Sequence, residues 1–253
     1  MQTNYKQIKF TGDIFRVSYN QRPTQDGNIK WLYHALKNPL QLATSLPVET
    51  ELFSKQDISL VSAGYRMIDE DISMEGWPKL FYHNDFSEEF LQQVWLNFKN
   101  SIVIAFELPE LLKSALDSLN IPFVDIIIHP VRFLDDLVFG IRSNNREISQ
   151  LLQNYLVPEE SILIQAGIVM ASMNRLKRLD ITGKAALFAG QTTDDKVLID
   201  EGKFHKVSNF LDKFSEISNS YDTLIIKSHP YSADPFEAIS ISRLFNNCIT
   251  VTI

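Results

Sequence analysis

Four times along the chain, an apolar run ends directly on side chains able to move protons, attack carbon or hold a phosphate. Glu107 follows SIVIAF. His129, Pro130 and Arg132, with Asp135 and Asp136 beyond them, follow VDIII. Gln191, Thr192, Thr193, Asp194 and Asp195 follow ALFAG, and Lys227, Ser228 and His229 follow LII. Read as buried parallel strands, these runs deliver their ionisable groups to strand carboxyl ends, where open α/β sheets bind ligands. A carboxylate there can act as nucleophile or general base. Lysine offers a point charge for a phosphate, and histidine can donate to phosphate or carboxylate near neutral pH. Each group alone has a plainer account: an aspartate after a strand is often a helix N-cap, as for Asp194, and His-Pro is often only a turn. Their joint occurrence at four strand ends favours a shared crevice. Arg16, after IKFTGD, is a further candidate to face it, as are His129 and Arg132.

The elements that must position these groups alternate in type. Residues 8–13 read as a strand opening into the polar loop SYNQRPTQDGN; 31–46 have helical apolar spacing; 58–63 read as a short strand. Residues 87–97 carry a helix-start signature, serine at the cap and acids in the first turn. SIVIAFE is then a strand, LPELLKSALDSLN an amphipathic helix and IPFVDIIIHP a strand closed by proline. Residues 145–155 read as a helix, as does PEESILIQAGIVMASMNRLKRL, which starts at a proline. KAALFAGQ, DTLIIKSHP and CITVTI read as strands, separated by helices at 206–218 and 236–244. Strands of near-continuous Ile, Val and Leu alternating with helices predict an α/β protein, its parallel sheets covered on both faces. A boundary at LDITG divides the chain into Rossmann-like units over 1–182 and 183–253. The second ends inside an apolar strand and is expected to be incomplete.

Composition narrows the function classes. A net charge of −7 argues against a broad nucleic-acid-binding surface, which needs clustered Lys and Arg, but it permits a local anion pocket. The single cysteine, Cys248, rules out an internal disulfide and a cysteine-rich zinc site. No apolar run approaches the roughly 18–20 residues of a membrane span, and MQTNYKQIKF lacks a signal peptide's apolar stretch, so the chain reads as cytoplasmic. The basic cluster Arg175, Lys177 and Arg178 reads as a helix C-terminus complementing the dipole. A peripheral contact with anionic lipid at the inner membrane is its alternative.

GQTTDD followed by IIKSHP resembles the paired motifs of the retaining β-Kdo glycosyltransferases of bacterial capsule and O-antigen lipopolysaccharide pathways. Those motifs read approximately Q-T-x-x-D and K-T-H-P. Gln191, Thr192 and Asp195 match the first. Lys227, His229 and Pro230 match the second, with Ser228 in place of threonine. The stretch FELPELLKSALDSLNIPFVDIIIHPVRFLDD also looks like the N-terminal half of such enzymes, so the resemblance covers roughly residues 101–229. It implies a GT-B transferase with CMP-Kdo as donor, a polysaccharide or glycolipid acceptor, and no cofactor or metal. It further implies that Asp195 is the nucleophile and that Gln191, Lys227, Ser228 and His229 bind the donor. Glu107 is the match for the base that deprotonates the acceptor, on a looser correspondence that leaves a structural carboxylate open. In the family a C-terminal region completes the cytidine pocket, so the 253-residue chain is expected to be inactive alone or to bind donor weakly.

Three rival readings remain. A transferase using another nucleotide sugar, such as CMP-sialic acid, would keep the same fold. A metal-dependent hydrolase would use Asp125, His129, Asp135 and Asp136, although two residues four apart in one strand stand ~13 Å apart. A non-catalytic module would bind sugar or a partner transferase domain. WPKLFYHND, over 77–85, reads as a capped loop packing on the sheet, with an acceptor groove as its alternative.

Overall fold

A computed structural model describes residues 5–20, 22–53, 59–129, 131, 137–176, 181–229 and 236–251. The chain is a mixed α/β protein that separates into two units, Met1–Arg175 and Leu176–Ile253.

The first unit runs β1 (Gln7–Gly12), α1 (Asp26–Thr44), β2 (Val48–Thr50), α2 (Ser59–Met67), α3 (Gly76–Phe81), α4 (Glu88–Phe98), β3 (Ser101–Phe106), α5 (Glu110–Ser118), β4 (Phe123–Ile128), β5 (Phe139–Ser143), α6 (Arg146–Leu152) and α7 (Glu159–Met173). Its five-stranded sheet has the order β2-β1-β3-β4-β5. The first four strands are parallel, and β5 is antiparallel to β4, so an antiparallel edge replaces the all-parallel sheet that the alternation predicts. Side chains alternate across a strand, and this sheet buries both sets. Phe10 and Phe106 lie on the α1 face, their rings edge-on to Tyr33 and Trp31. Val103 and Ala105 point to the other face and are fully buried, where α4 packs on β3. At the end of β1 a residue larger than glycine has no room: a Cβ on Gly12 would lie 2.5 Å from the Phe106 carbonyl oxygen.

Two local expectations are corrected here. The stretch that reads as a strand over 58–63 forms α2 from Ser59 onward, because Leu60, Val61, Ala63, Gly64 and Tyr65 make a helical apolar stripe. WPKLFYHND begins as helix α3 rather than a loop, and Trp77, Pro78, Leu80 and Phe81 are buried. Trp77 is therefore core and lines no groove. The start of α4 is as its sequence predicts, the Ser87 hydroxyl accepting from the Phe90 amide at 3.1 Å.

The second unit runs β6 (Ala185–Ala189), β7 (Ile199–Asp200), β8 (Lys203–Phe204), α8 (Leu211–Ser218), β9 (Thr223–Lys227), α9 (Phe236–Ser242) and β10 (Asn247–Val251). Its three strands are parallel in the order β10-β9-β6. The core gathers Leu224 and Ile226 of β9 with Ala186 and Phe188 of β6, Phe214 of α8, and Ile241 and Phe245 at α9. Helices thus cover one face of this sheet. On the other face Leu187, in register with Ile225 and Ile249, is 66% exposed, which departs from the two-sided cover expected of a parallel sheet. The hairpin β7–β8 turns through Glu201 and Gly202, both left-handed with φ of 47° and 73°, the arrangement that a two-residue hairpin turn demands.

Candidate functional site

The carboxyl edge of the second unit is built by two neighbouring strands. β6 and β9 pair in parallel with Ala189 opposite Lys227, so the chains leaving them start side by side. The Gly190 amide donates to the Lys227 carbonyl at 2.8 Å, and a Cβ on Gly190 would stand 3.5 Å from the His229 amide nitrogen. The motifs that begin at Gln191 and at Lys227 therefore leave one edge together. Lys227 and Ser228 are exposed and His229 is half-buried. By strand alternation Lys227 projects on the face that carries Leu187 and Ile225.

Beyond Gln191 the chain makes a short 3₁₀ turn, Lys196–Leu198, and Asp195 is its N-cap: Oδ1 accepts from the Val197 amide at 3.1 Å. The plain account raised for Asp194 is thus the geometry of its neighbour. The cap uses one carboxylate oxygen and orients the group. Oδ2 accepts no hydrogen bond among the described residues, and the side chain is half-buried.

Next to this edge lies a hollow of about 180 Å³. Phe188, Phe210 and Phe214 form its aromatic wall, and Gln191, His205, Lys206 and Glu237 supply polar groups. His205 follows β8, and its Nε2 pairs with Asp200 Oδ2 at 3.1 Å. Its Nδ1 is buried and accepts or donates no hydrogen bond among the described residues. Glu237, at the start of α9, accepts from the Val207 amide at 3.3 Å. Sequence reasoning passes over these groups because none follows a long strand; the signal available is the His-Lys pair directly after the Glu-Gly turn. A wider hollow of about 620 Å³ opens at the opposite, amino-terminal edge of the same sheet, lined by residues such as Lys184, Ser218, Asp222 and Asn247. That edge carries none of the motif residues.

In the first unit the carboxyl edge holds other groups of the sequence-derived set. Glu107 directly follows β3 in a left-handed conformation, φ 52°, its amide donating to Ile126 O at 3.0 Å; its side chain is half-buried. Arg16 lies 4.9 Å over the Trp77 ring, beside Asp13. Asp13 is buried and accepts from Trp77 Nε1 at 2.9 Å and from the Phe15 amide at 3.2 Å. Burial pushes the Asp13 carboxyl up to about 7, against the opposing pull of Arg16, Trp77 and backbone amides. The Tyr65 hydroxyl, donating to Phe15 O and Ser73 O, is also raised, by burial first and the Asp13 charge second. Both oxygens of Asp13 are engaged and closed off, so this cluster anchors the loop after β1. His129 follows β4, its Nδ1 accepting from the Val131 amide at 3.1 Å. Arg132 lies outside the described residues, as do Pro130, Asp135 and Asp136.

Asp125 is fully buried and serves structure. Oδ1 accepts from the Leu108 amide at 2.8 Å, and Oδ2 meets Arg142 Nε at 3.1 Å and Lys113 Nζ at 3.3 Å. Its engagement removes the first ligand of the metal-hydrolase reading, and no cluster able to hold a metal occurs among the described residues. Compared with known protein families, curated proteins and solved structures, the chain matches none.

Proposed function

We propose that the chain is a nucleotide-sugar glycosyltransferase that uses CMP-Kdo as donor, built from two Rossmann-like units of the GT-B type. One observation carries the reading: the Q-T-x-x-D and K-S-H-P motifs leave adjacent parallel strands, joined by the bond from Gly190 to Lys227. Motifs distant in sequence thereby reach one sheet edge of the kind that binds ligands in α/β proteins.

In this reading Asp195 is the nucleophile. The bond it accepts from Val197 fixes one oxygen and leaves Oδ2 to attack the anomeric carbon. The carbon–oxygen bond to the CMP phosphate breaks as the glycosyl ester forms, and Lys227 and His229 meet the charge of the departing CMP. An acceptor hydroxyl then gives up its proton to a general base and displaces the Asp195 carboxylate. Two inversions give net retention. Gln191 and Ser228 hold the donor by hydrogen bonds. The acceptor is a polysaccharide or glycolipid.

The test is a titration of the chain with CMP-Kdo, followed by ligand-detected NMR so that weak binding registers, with CMP-sialic acid as the comparison donor. Binding of CMP-Kdo that Lys227→Ala and His229→Ala abolish supports the reading. Binding that both variants keep, or none in the millimolar range, removes it. For turnover the informative variant is Asp195→Asn, which keeps an oxygen for the Val197 amide but lacks a nucleophilic carboxylate; full transfer by this variant excludes Asp195 as nucleophile.

A further inference from the structure

Helix α7 contradicts the usual economy of a surface helix. Thirteen consecutive residues, Ser161 to Met173, carry no charge, yet none of its residues is buried. Leu163, Ile164, Ile168, Met170 and Met173 are each more than half exposed. An exposed helix that is apolar on all sides belongs inside an assembly or a bilayer. At 15 residues and ~1.5 Å per residue it is ~22 Å long, short of the ~30 Å hydrocarbon layer; it reaches the length and composition of a span only together with Arg146–Tyr155, from which it is bent by 48°. It also lacks the segregated polar face by which interfacial helices rest on a membrane. Its charges are segregated lengthwise instead: Glu159 and Glu160 at the amino end, Arg175 just past the carboxyl end, with Lys177 and Arg178 next in the sequence.

We infer that α7 pairs antiparallel with the α7 of a second copy of this chain, crossing at Gly167. Half-buried Ile162, Gln165 and Ala166 mark the side turned toward the rest of the protein, and Glu160, Leu163, Gly167, Met170 and Ala171 share the outward side. Gly167 lies seven residues after Glu160 and eight before Arg175, and nothing stands within 4 Å of where its Cβ would be. A two-fold axis at Gly167 brings two backbones close at their midpoints, sets Leu163 of each copy level with Ala171 of the other, and brings Glu160 within one residue, ~1.5 Å along the axis, of the level of Arg175 of the second copy. A shallow crossing near 20° keeps those charged ends within side-chain reach. Acid then meets base at both ends of the seam, whereas an anionic lipid surface would attract one end of the helix and repel the other.

Sedimentation equilibrium of the full chain tests this. The wild type is expected to be a dimer in the micromolar range, and Gly167→Leu to weaken it at least about ten-fold with an unchanged circular dichroism spectrum. Glu160→Lys weakens the dimer, and Glu160→Lys with Arg175→Glu restores it. The double variant also separates pairing from a favourable helix dipole, because both of its charges oppose the dipole. A monomeric wild type, with or without pelleting on anionic vesicles, overturns the inference. So does a dimer indifferent to Gly167→Leu, or a failed rescue by the double variant.

Discussion

Asp125 and Arg142 face each other directly across the β4–β5 ladder, the guanidinium Nε 3.1 Å from the buried carboxylate. This pair ties the antiparallel fifth strand to its neighbour. Arg142 also reaches Glu110 at 3.3 Å, Lys113 touches both acids, and the Leu108 amide closes the set. The antiparallel edge is therefore fastened to α5 and to the turn that carries Glu107.

Removing the acid should cost far more than removing the arginine. Asp125→Ala leaves Lys113, which is 10% exposed, with Glu110 alone and leaves the buried Leu108 amide without an acceptor, for a loss of about 3 kcal/mol. Arg142 is 56% exposed and Asp125 keeps Lys113 without it, so Arg142→Ala should cost about 1 kcal/mol. Urea unfolding of the two variants checks the order; equal losses would refute it.

The pH dependence follows from Asp13. Its folded value, about 7, lies above its ordinary 3.8, so the folded chain holds this proton more tightly than the unfolded one. The stabilising contribution is complete below about pH 4 and is lost as pH rises through about 7, by on the order of 4 kcal/mol at most. Asp13→Asn removes the titration. Its stability relative to wild type should improve steadily from pH 4 to 7 in thermal unfolding, and a pH-independent difference would rule out the assignment.

Two glycines should respond differently to alanine. Gly12→Ala drives a Cβ into a backbone oxygen that cannot rotate away, and should cost about 2–3 kcal/mol. Gly202→Ala, at a left-handed φ of 73°, should cost about 1 kcal/mol. Denaturation midpoints for the pair would reveal a reversed order.

At the proposed donor edge, Ser228→Thr should be neutral, because a hydroxyl is kept at that exposed position. Lys227→Gln should weaken CMP-Kdo binding about ten-fold through loss of a charge-assisted contact. Calorimetric or NMR titration separates the two, and a Lys227→Gln variant with unchanged affinity would take the phosphate role from this residue.

How much of this was readable beforehand depends on the length of each pattern. The runs through Ile104, Ile126, Phe188 and Ile226 are long enough to declare strands, and a residue after such a run is placed at a sheet edge by connectivity alone. That is why Asp195 and Lys227 could be named as candidates from sequence. Short windows failed. Leu60 and Val61 look like strand residues until Tyr65 completes the helical stripe. The two-residue strands β7 and β8 have no period to read. The Asp125–Arg142 pairing that fastens β5 joins residues 17 apart and is not a local signal. His205, Lys206 and Glu237 converge only through the packing of the hairpin and α9 on β6, so no spacing in the sequence could unite them.

The position of β1 has a consequence for synthesis. The strand nearest the amino terminus is an interior member of its sheet, and the Gln7 side chain bonds Ser101 across 94 residues. At ribosomal rates that interval is roughly 5 to 20 seconds, during which Ile8 and Phe10 have emerged while β3, one of their two flanking strands, does not yet exist. Nascent chains halted before Ser101 should stay open to protease and attract holdase chaperones, and resistance should appear only once Phe106 has cleared the exit tunnel.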